Sequence, residues 1–239
     1  MAKPSPAARA ADLRNLVDHY NRRYYVDAVS EVSDREFDRL LEELRQLEAD
    51  HPELVTPDSP TQRVGGAPVD EFRTVAHRVP MLSIDNSYNP DMLREFDRSA
   101  RKLLGGDPVT YVVELKIDGV AISLTYENGL LTCGATRGDG ERGDDVTHNL
   151  RTMRDVPLRL HADKPPKLFE VRGEVYMTRA ELIRVNRALA DDNERRRKDA
   201  EAKGRKPPAA VEPYANPRNL TAGTLKLKDP AEAKGRKLN

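Results

Sequence analysis

Asn128-Gly129 lies between VAISLTYE (120–127), which alternates apolar and polar residues, and LLTCGATR (130–137), which reads as the return strand. Asn-Gly supplies the backbone conformation of a two-residue hairpin, so this part of the chain is committed to antiparallel sheet. Ile122, Leu124 and Tyr126 share one face. Counting back from the turn pairs Glu127 with Leu130 and sets Arg137 opposite Val120, beside Gly119. YVVEL (111–115) reads as a further strand. LFEVRGEV (168–175) alternates again, with Glu170, Arg172 and Glu174 on one face and Phe169, Val171 and Val175 on the other.

Helical patterns surround this sheet. Leu13, Leu16, Val17, Tyr20 and Tyr24 recur at spacings of three and four. Ser33 and Glu36 form a capping box ahead of a stripe of Phe37, Leu40, Leu41, Leu44 and Leu47, which His51-Pro52 ends. The two segments are expected to make a helical hairpin. A third helix opens at Asn89-Pro90-Asp91, with Leu93, Phe96, Ala100 and Leu103 expected inward and Gly105-Gly106 as its stop. A fourth starts at Thr178 and Glu181, with Leu182, Val185 and Leu189 inward. Residues 52–89 read as an ordered connection or a linker, and 190–213 as a charged helix tail entering a flexible loop.

Composition narrows the class. No apolar run approaches the roughly 20 residues of a membrane span, and the N-terminus has no secretory pattern, so a cytoplasmic, membrane-free protein is expected. The lone Cys133, read as a buried strand residue, excludes an internal disulfide and a cysteine-based zinc site. The five histidines show no ligand spacing. Net charge is zero, but residues 195–239 hold 13 Lys and Arg against 5 Asp and Glu. Such an end could attract phosphate backbones or simply be solvated.

The chemistry concentrates in Glu114-Leu115-Lys116-Ile117-Asp118-Gly119. Lys-x-Asp-Gly alone fits many surface turns. The hairpin register, however, returns Arg137 close to Lys116, with Glu114 and Asp118 nearby. A neighbouring cation favours the neutral, nucleophilic form of a lysine, and arginine suits bidentate phosphate contact. Gly138-Asp139-Gly140 with Gly143 could wrap a phosphate, but more often such a stretch is a turn.

ELKIDG, ATRGDGERGDDVTHNLRT, EVRGEVYM and ANPRNLTAGTL, in that order, closely resemble bacterial NAD-dependent DNA ligases, and SPTQRVGG and PMLSIDN fit at the expected place before the lysine. The resemblance covers nearly all of residues 10–239. It implies an α+β fold: a helical hairpin over 1–60 that recognises the nicotinamide mononucleotide half of NAD, a connecting segment over 61–89, and over 90–239 a nucleotidyltransferase, ATP-grasp-like domain with antiparallel sheet, incomplete at its C-terminus. It implies that Lys116 takes AMP from NAD with magnesium in support, and that the strand break of nicked duplex DNA, the macromolecular partner in replication and repair, is then sealed. Glu114, Arg137 and Glu174 are expected at the nucleotide, and Ser83 and Ile84 at the pocket's border. Asp118 would orient Lys116 or assist a metal, although no residue set is assigned as a metal site. Tyr24 and Asp34, Arg35, Glu36, Phe37 and Asp38 would hold the nicotinamide mononucleotide half. Asn216, Arg218 and Asn219 match a family motif and are expected in a structured loop near the nucleotide.

Two departures bear on NAD. The family usually has Tyr-His where this chain has Tyr24-Tyr25, and Tyr-Asp where it has Phe37-Asp38. The family's two further motif lysines, its oligonucleotide-binding barrel, four-cysteine zinc module, helix-hairpin-helix and BRCT domains do not occur here, so the sequence reads as a fragment carrying the self-adenylation half. A monomer is expected, with association through an uncovered sheet edge. The competing readings are a catalytically inactive remnant that binds nucleotide or a partner, and an ATP-using RNA ligase or capping enzyme, against which the hairpin and SPTQRVGG speak.

Overall fold

The structure, a computed structural model, describes residues 4–25, 31–63 and 71–239, the side chains of 24, 25, 34, 35 and 63 excepted. The hairpin forms as Asn128-Gly129 dictates, with φ of 50° and 84° at the two turn residues. It joins β2 (Val120–Glu127) to β3 (Leu130–Thr136). Tyr126 pairs with Leu131 but Thr125 with Cys133, so a bulge leaves Thr132 without an opposite residue. The expected register is therefore wrong by one beyond this point. Arg137 lies opposite Ala121, its amide donating to the Ala121 carbonyl at 3.0 Å, and not opposite Val120. The shift matters because opposed residues share a face. It moves Arg137 off the core face of Val120 and Ile122 onto the face of Ala121, whose partner in the next strand is Glu174.

That next strand is β5 (Leu168–Val175), at the position read from its alternation and antiparallel to β2 along its whole length, giving the order β3-β2-β5. Ile122, Leu124 and Tyr126 point into the main core with Leu131, Val146, Leu150, Met153 and Leu220. Each such buried side chain contributes about 1.5–3 kcal/mol relative to exposure. The core is closed by α4 (Thr147–Leu150), by α5 (Arg179–Ala202), capped by Thr178 and packing Leu182 and Val185 inward, and by α6 (Pro217–Leu225) and α7 (Pro230–Lys234). A second antiparallel pair joins β1 (Thr74–Ala76) to β4 (Arg142–Asp144), so the connecting segment contributes a strand. The loop after α5 is tied back to it: the amides of Val211 and Tyr214 donate to the side chains of Asn193 and Asn186.

At the N-terminus α1 (Pro6–Tyr25) packs on α2 (Asp34–Asp50) through Ala10, Leu13, Val17, Leu40 and Leu44. Ser33 caps α2 by accepting from the Glu36 amide, the serine half of the expected capping box. The architecture is mixed, with helices and antiparallel sheets.

Two expectations fail together. Residues 111–115 form no strand, and the stripe of α3 (Pro90–Leu103) is not inward. Val112, Val113 and Leu115 are 85%, 94% and 88% exposed, and Leu93, Phe96 and Leu103 are exposed as well. A run rich in aromatic and β-branched residues becomes a strand only when a neighbour takes up its backbone hydrogen bonds. Among the described residues none does so for 111–115, and only Tyr111 meets α3, its ring tilted at 47° to that of Phe96 and its hydroxyl donating to Asp97. Cys133 also differs from expectation in being half-buried rather than buried.

Candidate active site

The polar face of the sheet opens at one end into a cavity of about 500 Å³. Lys116 enters it from the turn that leads into β2, Ala121 from β2, Arg137 from the end of β3, and Arg172 and Glu174 from β5. Met81, Leu82 and Ile84 give it an apolar wall, and Arg218, Ala222 and Lys226 enter from α6 and its C-cap.

The turn that carries Lys116 is fixed from β5. The Gly119 amide donates to Glu174 Oε1 at 3.0 Å. A Cβ at Gly119 would come within 2.2 Å of the Val175 carbonyl oxygen, so only glycine allows this approach. Asp118 pairs with Arg218 at 2.7 Å, and Asp144 pairs with Lys226 at 2.6 Å. Lys116 and Arg137 have no ion-pair partner among the described residues. The cavity thus offers two cations without a counter-charge beside three that are matched, a composition suited to phosphate.

The turn after β3 is a turn and not a phosphate loop. Asp139 Oδ1 accepts the amides of Glu141 and Arg142, and the Gly140 amide donates to the Arg137 carbonyl. Those amide bonds hold the Asp139 carboxyl below its ordinary value. Few amides remain for a ligand.

Of the residues singled out in the sequence, Lys116, Arg137, Glu174, Ile84 and Arg218 line the cavity, and Asp118 adjoins it through Arg218. Ser83 and Glu114 are exposed and do not line it. Glu114 is displaced because the strand that would aim it does not form. Phe37 lies elsewhere, on a cavity of about 40 Å³ with Thr152, Arg154 and Lys234, the Arg154 guanidinium standing 6.0 Å over its ring. Glu36 and Asp38 are exposed and also away from Lys116's cavity. The side chains of Tyr24, Tyr25, Asp34 and Arg35 lie outside the described residues. Arg172, Asp144 and Lys226 were not picked out from the sequence as site residues. Asn216, Arg218 and Asn219 open a helix and not the expected structured loop: Asn216 caps α6 through the amides of Arg218 and Asn219, a role that Asn-Pro before a helical run could have signalled. Among the described residues no three His, Cys, Asp or Glu converge as metal ligands, and no helix is long and apolar enough to cross a membrane.

A family model described as the NAD-dependent DNA ligase adenylation domain matches residues 69–239. The chain belongs to the NAD-dependent DNA ligase family. A second model, described as a DNA ligase-like, N-terminal NAD+-binding domain, matches residues 3–65. Among curated relatives, a protein named DNA ligase from Desulforudis audaxviator is 50% identical over 238 residues, covering 99% of this chain and 33% of its own length. Another DNA ligase, from Shouchella clausii, is 48% identical over 239 residues, 100% of this chain and 32% of its own. One from Geobacter sulfurreducens is 45% identical over 232 residues, 96% and 32%. The chain spans about a third of the length of the curated relatives it matches. The ELKIDG and EVRGEV motifs of this family member are thus the segments that the fold brings together around Lys116 and Glu174.

Proposed function

We propose that this chain is the self-adenylating unit of an NAD-dependent DNA ligase, with residues 1–60 as a helical hairpin for the nicotinamide mononucleotide half, 61–89 as connector and 90–239 as part of a nucleotidyltransferase, ATP-grasp-like domain. The observation that carries this is the meeting of Lys116, Arg137 and Glu174 in one cavity with an apolar wall of Met81, Leu82 and Ile84. The wall suits a purine, and the cations suit the phosphates that follow it.

In the proposed step the Lys116 Nζ lone pair forms a bond to the α-phosphorus of NAD. The bond from that phosphorus to the bridging oxygen breaks, and nicotinamide mononucleotide leaves with the oxygen on its phosphate. The lysine proton passes to solvent, and AMP remains as a phosphoramidate. Arg137 offsets charge on the phosphoryl oxygens. Asp118 holds Arg218 at the same cavity, and Glu174 holds the turn that aims Lys116. In the whole ligase the AMP would pass to the 5′-phosphate of a nick, and the 3′-hydroxyl would displace it. Magnesium assists such chemistry by neutralising phosphate charge. The described residues offer it no cage of their own, since Asp118 and Asp144 are each engaged by a cation.

Intact mass after incubation with NAD and magnesium, beside Lys116→Ala, tests the proposal. A gain of one AMP in the parent alone supports it. A folded parent that gains nothing overturns it, and a gain from ATP in place of NAD assigns the chain to a different donor.

A further inference from the structure

The segment from His77 to Ile84 crosses the polar face of the sheet before it reaches the cavity. It is pinned at His77 and at Met81 by the turn after β3. The His77 amide donates to the Glu141 carbonyl at 2.8 Å, and the Met81 amide to the Gly140 carbonyl at 2.8 Å. Between these anchors Pro80 has no amide to give, and Val79 and Pro80 carry carbonyls that need donors. Arg172 supplies them from β5. Its guanidinium donates to the Pro80 carbonyl at 2.8 Å and to the Val79 carbonyl, while its Nε donates to Glu170 Oε1 at 2.9 Å. One planar fork thereby ties the strap to the strand that also bears Glu174. Lysine could not reproduce the arrangement, having a single ammonium in place of the fork.

The strap then runs straight into the cavity wall. Met81 is buried beneath it, and Leu82 and Ile84 line the cavity while standing 82% and 77% exposed. Side chains so little packed are placed by their backbone. We infer that Arg172 is a positioning residue for nucleotide binding: by holding the Val79 and Pro80 carbonyls it sets Leu82 and Ile84 as the wall against which the base of a purine nucleoside rests. The inference rests on the reading of this cavity as the nucleotide site and adds how its apolar wall is held. Its alternative is also physical. Arg172 lines the same cavity and could instead touch phosphate.

Adenosine and AMP separate the two. Both are titrated calorimetrically into the full chain, the parent beside Arg172→Ala and Arg172→Lys, and amide hydrogen exchange is followed over residues 77–84 without ligand. If Arg172 acts through the strap, Arg172→Ala weakens adenosine and AMP alike by about tenfold or more, the scale of a lost charge-assisted bond. Exchange over 77–84 then quickens while the amides of β2 and β5 keep their protection, and Arg172→Lys falls between. A loss for AMP alone would make Arg172 a phosphate ligand and overturn the inference. So would unchanged exchange over 77–84, whatever binds. Exchange that slackens throughout β2 and β5 would reduce Arg172 to general support of the sheet, which also overturns it. If the parent binds neither ligand, the nucleotide reading fails and takes the proposed role with it, whereas the exchange result still decides whether Arg172 holds the strap.

Discussion

The carboxylate of Glu174 accepts the backbone amide of Gly119 at 3.0 Å, linking β5 to the turn that presents Lys116. Register makes the link possible: β2 and β5 pair Ala121 with Glu174 and Val120 with Val175, so Glu174 sits two residues along from the glycine it holds. The same pairing brings the Val175 carbonyl close enough to exclude any Cβ at position 119. Placement of the candidate nucleophile is therefore a property of sheet register as much as of the Lys-x-Asp-Gly motif.

Gly119→Ala is expected to cost stability and chemistry together. The added Cβ would sit 2.2 Å from a backbone oxygen, so β5 or the turn must move. Overpacking of this kind costs about 1–3 kcal/mol. AMP uptake should drop by at least about tenfold as Lys116 shifts, by the steep dependence of such reactions on alignment. Glu174→Gln keeps an acceptor oxygen and should be milder. Thermal melts and charging rates check both variants, and a Gly119→Ala chain that charges at the parental rate would refute the argument.

Asp118→Asn should separate stability from activity. The Asp118–Arg218 pair is exposed, with 69% and 46% of the two side chains open to solvent. Such pairs contribute about 0–1 kcal/mol, so the melting temperature should barely change. Arg218 would lose its tether at the cavity, and charging should fall. A large loss of stability with charging intact would reverse the assignment.

How much of this was readable in the sequence depended on distance along the chain. The hairpin, the Ser33, Asn89 and Thr178 caps and the alternation of β5 follow from neighbouring residues and were legible. The bulge at Thr132 was not, because Asn128-Gly129 fixes the turn but not where the ladder slips. That slip decides the face of Arg137. Nor could periodicity foretell that YVVEL lies unpaired, since a strand exists only with its neighbour. Arg172 was seen merely as one charge among three on an alternating strand. Its carbonyl partners lie more than ninety residues away in the chain. The hairpin's expected NAD residues could be named from family motifs, yet Phe37 lies against Arg154, away from Lys116.

Asn149→Ala should loosen the wall that carries Arg218 and Lys226. Asn149 is 1% exposed, and its Nδ2 donates at 2.8 Å to the carbonyls of both Leu225 and Leu227, at the C-terminal end of α6. Alanine takes this donor from the Leu225 carbonyl and leaves the Leu227 carbonyl with only His148 Nε2, at 3.2 Å, at a cost of about 1–3 kcal/mol. A fall in melting temperature and faster exchange of α6 amides is the expected outcome. An unchanged melt would mean that water replaces the amide at no cost.

Acid should act through Glu181. Its carboxylate pairs with Arg184 at 2.6 Å and accepts the Lys237 amide at 2.8 Å, and the Arg184 bond, opposed by burial and aided by that amide, holds it below the ordinary 4.5. A depressed carboxylate lends stability that is fully present above the unfolded value and is lost as pH falls through the folded one. The parent should therefore exceed Glu181→Gln in stability at neutral pH by about 1.5–3 kcal/mol, the scale of hydrogen bonds to a charged group. That advantage should shrink only below pH 4.5. Urea melts at several pH values measure it, and a gap that persisted unchanged well into acid would rule Glu181 out.

Self-association should follow from the apolar surface around residues 111–117. Val112, Val113 and Leu115 are almost fully open, Leu103 and Phe96 of α3 are exposed, and so are Phe169 and Val171 of the edge strand β5, on the face they share with Tyr126 and Leu124. Isolated apolar residues on a surface are ordinary, but an unpaired apolar run beside an apolar helix stripe is a template for edge pairing. The chain should sediment with concentration-dependent mass and bind a hydrophobic dye. Val113→Lys with Leu115→Lys should reduce both while leaving the main core intact, since neither side chain belongs to it. A parent that sediments as a single species without dye binding would refute this and mean that the run pairs within its own chain.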